Sequence, residues 1–349
     1  MPINYNNVDE ELRKIVENQK TRIKIVGIGG GGNNTIDRIS QVGIEGAETI
    51  AINTDAQDLL YTQANKKILI GKELTRGLGA GANPKVGEDA AKESLGDLRL
   101  VLENSDLVFI TCGLGGGTGT GAAPVVAEVA KKQGALVISI VTMPFSMEGK
   151  ARKENAMQGL LKLQKNSDTV IVIPNDKLLE LIPNLSINIA FKVADEILTN
   201  AVKGISDMIT KTGLINVDFA DVKTVMKEGG VALIGLGESD TENRAEEAVE
   251  KALNNPLLDV DISGGKAALI NVSGGEDLSL AEAKKVVESI SQKLNPDAVI
   301  IWGAQISKDL GRNLRVLIIV TGVKSRQIFG ISKKYRDIDE DELGIDFID

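Results

Sequence analysis

The chain has 349 residues, 42% of them apolar and 26% charged, the composition of an ordinary soluble globular protein with room for two domains. It carries 40 basic against 49 acidic residues, a net charge of −9, of which residues 335–349 supply −6 (seven acids against Arg336); with aromatics at 3%, neither a basic nucleic-acid surface nor a base-stacking platform is expected. Histidine is absent and Cys112 is the only cysteine, which excludes His-based triads, His- or Cys-clustered metal sites and an intrachain disulfide.

Residues 1–21 open polar and then place Val8, Leu12, Ile15 and Val16 at helical spacing, which predicts a short amphipathic arm. From Arg22 onward, apolar runs of strand length alternate with helical patterns. Strands are predicted at 23–29, 49–53, 67–70, 107–112, 135–142 and 169–174. Helices are predicted from the first strand to about Val42, at 86–103 and at 124–133, with a glycine-rich loop at 75–84. Buried apolar strands separated by helices predict a parallel, Rossmann-like α/β sheet covered on both faces. Ile189, Val193, Ile197, Ala201 and Ile205 then keep a helical period over 187–209, long enough for a central helix between two domains. Gly213 ends it, and another helix is predicted from about Val222. A smaller α/β unit follows, with strands at 231–236, 268–273, 298–306 and 314–321 and helices at 242–254 and 280–294, giving a mixed four-stranded sheet. The expected plan is an arm at 1–21, a first domain with the central helix at 22–203, a connecting segment at 204–228, a second domain at 229–326 and an acidic, disordered tail at 327–349. No apolar run approaches the ~18–20 residues of a membrane span. The opening lacks a basic-then-apolar signal pattern, so the chain is expected in the cytoplasm.

Gly27-Ile-Gly-Gly-Gly-Gly-Asn-Asn34 ends the first predicted strand and opens a helix. Glycines let backbone amides approach a phosphate, and a helix N-terminus carries partial positive charge. This segment also fits a dinucleotide fingerprint, with Asp55 as the ribose-binding acid, and it fits a tight turn with no ligand. Gly113-Leu-Gly-Gly-Gly-Thr-Gly-Thr-Gly121 narrows the choice. It too follows a strand and precedes a helix, and its six glycines in nine residues are costly in backbone entropy. Such a run is expected where amides wrap an anion, with Thr118 and Thr120 adding hydroxyl donors. A dinucleotide enzyme has no need of a second, longer phosphate loop, and the P-loop pattern G-x-x-x-x-G-K-[ST] occurs nowhere. Two glycine cradles without a P-loop lysine are a specific signal.

Residues 113–121 resemble the signature loop of the tubulin/FtsZ superfamily, with Thr120 in the form typical of the FtsZ branch. The resemblance extends over about residues 22–325. It includes Asn53-Thr-Asp55, Gly77-Leu-Gly-Ala-Gly-Ala-Asn-Pro84, Pro144-Phe-Ser-Met-Glu-Gly-Lys-Ala-Arg152, Ile173-Pro-Asn-Asp176, Ala194-Asp195 and Asn216-Val-Asp-Phe-Ala-Asp221. Thr75-Arg-Gly-Leu-Gly-Ala-Gly81 and Gly344-Ile-Asp-Phe-Ile348 are similar to the archaeal form. The resemblance implies the tubulin/FtsZ fold and a GTPase that polymerises into the cytokinetic ring at mid-cell, using GTP/GDP and Mg²⁺. It implies that Gly30, Gly31, Gly32, Asn33 and Asn34 form the first nucleotide loop, and that Gly115, Gly116, Gly117, Thr118 and Gly119 embrace the phosphates. Residues 79–83 resemble a loop that senses the γ-phosphate.

Glu148 and Arg152 match nucleotide and ribose contacts, although by spacing alone they form an i,i+4 ion pair worth only ~0.2–0.5 kcal/mol. The resemblance gives Asp195 the guanine N1–H and 2-amino group, a donor pair that adenine lacks, and gives Asn175 a part in holding the base. Asp218 and Asp221 read by spacing as acids favouring a helix start. The resemblance instead implies that they enter the nucleotide site of the next subunit and polarise the attacking water. Hydrolysis would then depend on a head-to-tail homopolymer. No protein ligand for the metal is named. Gly344, Ile345, Asp346, Phe347 and Ile348 resemble a motif that binds a membrane anchor of the SepF type, without membrane insertion by the chain itself. The alternatives are a related cytoskeletal GTPase for cell shape or DNA segregation, a nicotinamide-dependent oxidoreductase, and a non-hydrolysing scaffold, against which the presence of both Asp218 and Asp221 argues. The missing histidine and the second glycine loop argue against the oxidoreductase.

Overall fold

The computed structural model describes residues 20–181, 187–258 and 262–323. The expected arm, but for its last two residues, the acidic tail and the motif at Gly344–Ile348 lie outside them. The elements in chain order are β1 (Ile23–Ile28), α1 (Gly29–Val42), β2 (Ala47–Asn53), α2 (Ala56–Tyr61), β3 (Lys66–Leu69), α3 (Lys72–Thr75), α4 (Pro84–Glu93), α5 (Leu95–Leu102), β4 (Leu107–Gly113), α6 (Thr118–Lys132), β5 (Leu136–Met143), α7 (Lys150–Asn166), β6 (Thr169–Pro174), α8 (Asn175–Leu181) and α9 (Ile187–Thr210). They continue with α10 (Phe219–Met226), β7 (Gly230–Ser239), α11 (Arg244–Leu253), β8 (Ala267–Gly274), α12 (Leu280–Ser291), β9 (Val299–Ile306) and β10 (Leu314–Thr321).

The first six strands form a parallel sheet in the order β3-β2-β1-β4-β5-β6. Side chains alternate across it, as the strand period requires. Val26, Val108 and Val137 face a layer with Ala122, Val126 and Ala130 of α6. Ile25, Phe109 and Ile138 face the opposite layer, with Ile36 and Ile39 of α1 and Ile197, Ala201 and Ile205 of α9. Both faces are covered along the central strands β1, β4, β5 and β6, which are therefore largely apolar, whereas the edge strand β3 opens on the exposed Lys66 and Lys67. The α/β class and the central helix are as expected.

The structure departs from the expected elements at three places. The second group of strands does form a mixed four-stranded set, β7-β10-β8-β9, but it continues the first sheet. Thr169–Ile171 of β6 pair in parallel with Gly230–Ala232 of β7, and the Thr169 hydroxyl donates to the Met226 carbonyl beside this joint. The single helix expected at 86–103 is broken at Ser94, whose hydroxyl accepts a bond from the Gly71 amide (3.1 Å). The helix expected from Pro124 begins six residues earlier, at Thr118, so the glycine loop itself supplies its first turn and Pro124 sits inside the helix. The proline removes one ladder bond there but leaves the helix intact.

Candidate nucleotide site

The parallel strands β1, β4, β5 and β6 end at a common cleft of about 380 Å³ lined by Gly30, Gly31, Asn34, Gly116, Thr118, Glu148, Arg152, Asn175 and Asp195, among others. Two helices start at its floor. The N-caps of α1 and α6 are Ile28 and Gly117, neither contributes a capping side chain, and neither first turn contains an acid. The first-turn amides of a helix have no partner within it, so both starts offer N–H groups and positive dipole ends to an anion. By contrast, α10 and α12 are closed by capping boxes from Asp218 and Ser279. The two open starts touch backbone to backbone: a Cβ on Gly29, whose φ is +71°, would lie 2.9 Å from the Gly119 nitrogen.

A third glycine segment closes the same end. Within residues 77–83, Gly79 donates to the Thr54 carbonyl (3.1 Å), and Gly81 reaches the cleft beside Gly117. A Cβ on Gly117 would meet the Gly81 carbonyl oxygen at 2.2 Å, so only glycine permits this approach. Thr118 lines the cleft, its hydroxyl 2.7 Å from that of Thr54. Thr120 does not act as an added donor there. Its side chain is 1% exposed, and its hydroxyl accepts the Gly115 amide (2.8 Å), bracing the loop from behind.

The other end of the cleft suits a flat polar ring. Phe191 is 40% exposed on the cleft wall and meets Phe145 edge-on at 5.3 Å. Asn175 lines the cleft and is 4% exposed, and its buried Oδ1 has no hydrogen-bond partner. Asp195 lies in the first half of α9, half-buried. Burial pushes its carboxyl up to about 6, against the pull of a hydrogen bond from Thr35 and the charge of Arg38. Glu148 accepts the Phe145 amide (2.8 Å) and pairs with Arg152, so the i,i+4 ion pair exists and both partners line the cleft.

The family model described as Tubulin/FtsZ family, GTPase domain matches residues 22–183, and that of the FtsZ family, C-terminal domain, matches residues 230–324. The chain belongs to the FtsZ family. Cell division protein FtsZ 1 of Thermococcus kodakarensis is 63% identical over 320 residues, covering 92% of this chain and 86% of the relative. The protein of the same name from Archaeoglobus fulgidus is 58% identical over 349 residues, covering 99% and 93%. An empty FtsZ dimer of M. jannaschii superposes with a TM-score of 0.88 at 62% identity, over 91% of this chain and 93% of that one. The GDP-bound CetZ1 monomer of Haloferax volcanii shares the fold at 22% identity, with a TM-score of 0.77 over 87% and 95% of the two chains. The protein is therefore a GTPase of the FtsZ family, binding GTP and GDP.

Three residues of the glycine motifs stand behind the cleft wall. Gly32 packs on the Thr111 carbonyl, where a Cβ would come within 2.5 Å. Asn33 is buried and donates to Asp58 of α2 (3.1 Å). Gly115, with φ at +106°, lies under the Arg152 backbone. The helix explains the first two: at ~100° per residue, positions 30, 31 and 34 share one face of α1, while 32 turns to the β4 backbone and 33 to α2. Asp55, the acid a dinucleotide reading would use, instead caps α2 by accepting the Gln57 and Asp58 amides. The sequence reading did not single out Phe191 or Thr35. Both carry ordinary helical spacing, and only the folded chain brings them to the site.

Asp218 and Asp221 are remote from the cleft. Each accepts the other's amide, at 2.8 Å by Asp218 and 3.2 Å by Asp221, in the capping box of α10. The segment before them is held to β9, the last strand of the sheet order, where Leu214 donates to the Ala304 carbonyl (2.8 Å). Asp195 to Thr210 spans 15 residues (210 − 195) of α9, roughly 22 Å at ~1.5 Å per residue. Thr210 lies beside Gly46, immediately before β2, where a Cβ on the glycine would come within 3.2 Å of its methyl carbon, so α9 runs from the edge where the parallel strands end to the edge where they begin.

Proposed function

We propose that this chain is a self-assembling GTPase of cell division that holds GTP in the cleft and hydrolyses it at the contact between successive subunits. The division at 22–203, 204–228 and 229–326 belongs to this reading: nucleotide domain, connecting helix with catalytic loop, and C-terminal domain. Gly30, Gly31, Asn34, Gly116, Gly117, Thr118 and Gly119 hold the phosphates, with Gly32, Asn33 and Gly115 shaping the loops from behind. Glu148 and Arg152 contact the ribose. Asn175 and Asp195 read the base. Asp218 and Asp221 orient and polarise the attacking water for in-line displacement.

The observation that carries this reading is the separation just described. The phosphate cradles stand where the parallel strands end, and the two acids lie outside the cleft, beyond the far end of α9, so a single chain does not unite them. Stacking the α10 edge of one copy onto the cleft of another does, and repetition of that heterologous contact makes a filament. The M. jannaschii FtsZ dimer supports self-association. Mg²⁺ enters as part of the MgGTP substrate.

GTP turnover per chain, measured as protein concentration is raised, is expected to be near zero when dilute and to climb above a threshold. Turnover that is flat from the lowest concentration would mean a complete site in each chain, and would remove Asp218 and Asp221 from the reaction.

No helix among the described residues is long and apolar enough to cross a membrane. The proposed route to the mid-cell ring is an anchor of the SepF type bound through Gly344, Ile345, Asp346, Phe347 and Ile348, three apolar side chains around one acid after an acidic run. Deleting residues 338–349 is expected to abolish anchor binding in a pull-down and to leave GTP turnover unchanged. Lost turnover in that truncation would contradict the assignment.

A further inference from the structure

Thr35 lies on α1, one turn beyond Gly31 of the first glycine loop, and is fully buried at 0% exposure. Its hydroxyl oxygen is 3.1 Å from the Gly31 carbonyl oxygen and 3.3 Å from Oδ1 of Asp195. A hydroxyl has one hydrogen, and here two acceptors compete for it. An anionic carboxylate is the stronger acceptor, because a charge-assisted hydrogen bond is roughly twice as strong as a neutral one. A neutral Asp195 carboxyl would instead donate to Thr35 and leave the Thr35 hydrogen to Gly31. The hydroxyl thus serves both states but favours the charged one. Guanine needs the charged one, since its N1–H and 2-amino group are both donors.

We propose that Thr35 is a positioning residue for base recognition, its buried hydroxyl keeping the Asp195 carboxylate anionic and so ready for guanine. The inference rests on the reading of Asp195 as the base-binding acid. The charged surroundings leave this task to few groups. Arg38 faces Asp195 from α1, but its guanidinium is also drawn to Glu196, 3.8 Å away. Lys192 and Glu196 flank it on α9, and Glu148 and Arg152 line the same cleft. Burial opposes the charge, and among the groups that favour it the Thr35 bond ranks ahead of Arg38. The link also joins the phosphate end of the site to the base end through a single side chain.

The test is GDP affinity of the nucleotide-free full chain from about pH 5.5 to about pH 8, by calorimetry. Wild type is compared with T35V, T35S and D195N. Valine keeps the shape and replaces the hydroxyl by a methyl group. T35V is expected to raise the midpoint of the pH profile by roughly half to one unit. Its affinity then falls roughly two- to fivefold near pH 6, widening toward three- to tenfold at lower pH, and approaches wild type near pH 8, while T35S keeps the wild-type midpoint. Thr35→Ala removes the same hydroxyl and serves if T35V does not fold. A deficit in T35V or T35A that is equal at every pH, with the midpoint unmoved, overturns the proposal, because Thr35 then only fills space. D195N separates the two levels. If it binds GDP as tightly as wild type, Asp195 does not read the base and the proposal falls with that reading. If D195N loses GDP and the hydroxyl-less variants keep the wild-type midpoint, the proposal alone is overturned.

Discussion

Asp218→Ala or Asp221→Ala is expected to cut GTP turnover by roughly 10²- to 10⁴-fold, the usual contribution of a group that positions or deprotonates a nucleophile, while GDP affinity stays within about twofold of wild type. The two effects separate because neither acid lines the cleft. Both acids also close the start of α10, and losing a cap costs about 0.5–2 kcal/mol, so an alanine variant confounds chemistry with local stability. Asp218→Ser resolves this, since serine caps as well and carries no carboxylate. Turnover at the wild-type rate in D218S would make Asp218 a cap and nothing more. The stronger test is in trans. A D221A chain keeps a cleft that binds GTP but has lost an acid, whereas a D195N chain keeps both acids and is expected to bind GTP too weakly to fill its cleft at the GTP concentration used. Each alone is expected to be inactive, and a mixture is expected to regain turnover where a D195N subunit presents its acids to a D221A subunit. No recovery, with both variants shown to co-assemble, would place the acids and the nucleotide in one chain.

Much of this site is written in local sequence because its chemistry is made by backbone. Amides that meet a phosphate, and loops that touch at 2.2 Å between Gly117 and Gly81, require glycine, and glycine runs are visible without a structure. The 24-residue α9 was legible because it keeps one apolar face over its length. What was not legible depends on direction. Gly32 and Asn33 stand inside the motif and yet behind the wall, because a helix turns successive residues apart. The Thr120 hydroxyl points into its own loop, a choice fixed by the Gly115 amide it satisfies. The joint between β6 and β7 spans three residue pairs, too few to leave a pattern in either strand. Thr35 and Asp195 are 160 residues apart, and only the packing of α1 on α9 makes them neighbours. The pair Asp218 and Asp221 was legible as a helix start, which the capping box realises. Their proposed chemistry rests on the neighbouring subunit.

GDP affinity is expected to be flat above about pH 6 and to fall below it, approaching tenfold per pH unit. Burial raises the Asp195 carboxyl to about 6 in the empty protein, and guanine requires the anion. Below that pH a proton must leave before the base can bind. An acid with an unperturbed carboxyl would show no such loss until about pH 4. The stability sign is opposite. A carboxyl raised above its unfolded value of 3.8 is more protonated in the folded state than in the unfolded one, so between about pH 4 and pH 6 this group makes the empty protein less stable as pH rises. By the proposed base contact, bound GDP would relieve that cost by giving the anion two donors. Asp195→Asn is expected to abolish the pH dependence and to weaken GDP roughly 10²- to 10³-fold, because a buried amide N–H would then face the 2-amino group. The same change should favour xanthosine diphosphate. Xanthine keeps N1–H and replaces the 2-amino group by a carbonyl, so the side-chain amide introduced in D195N would meet it with one acceptor and one donor in the right order. Calorimetry with both nucleotides on wild type and D195N decides it. Tight GDP binding by D195N, or equal weakness toward both nucleotides in a folded D195N chain, would remove Asp195 from base recognition.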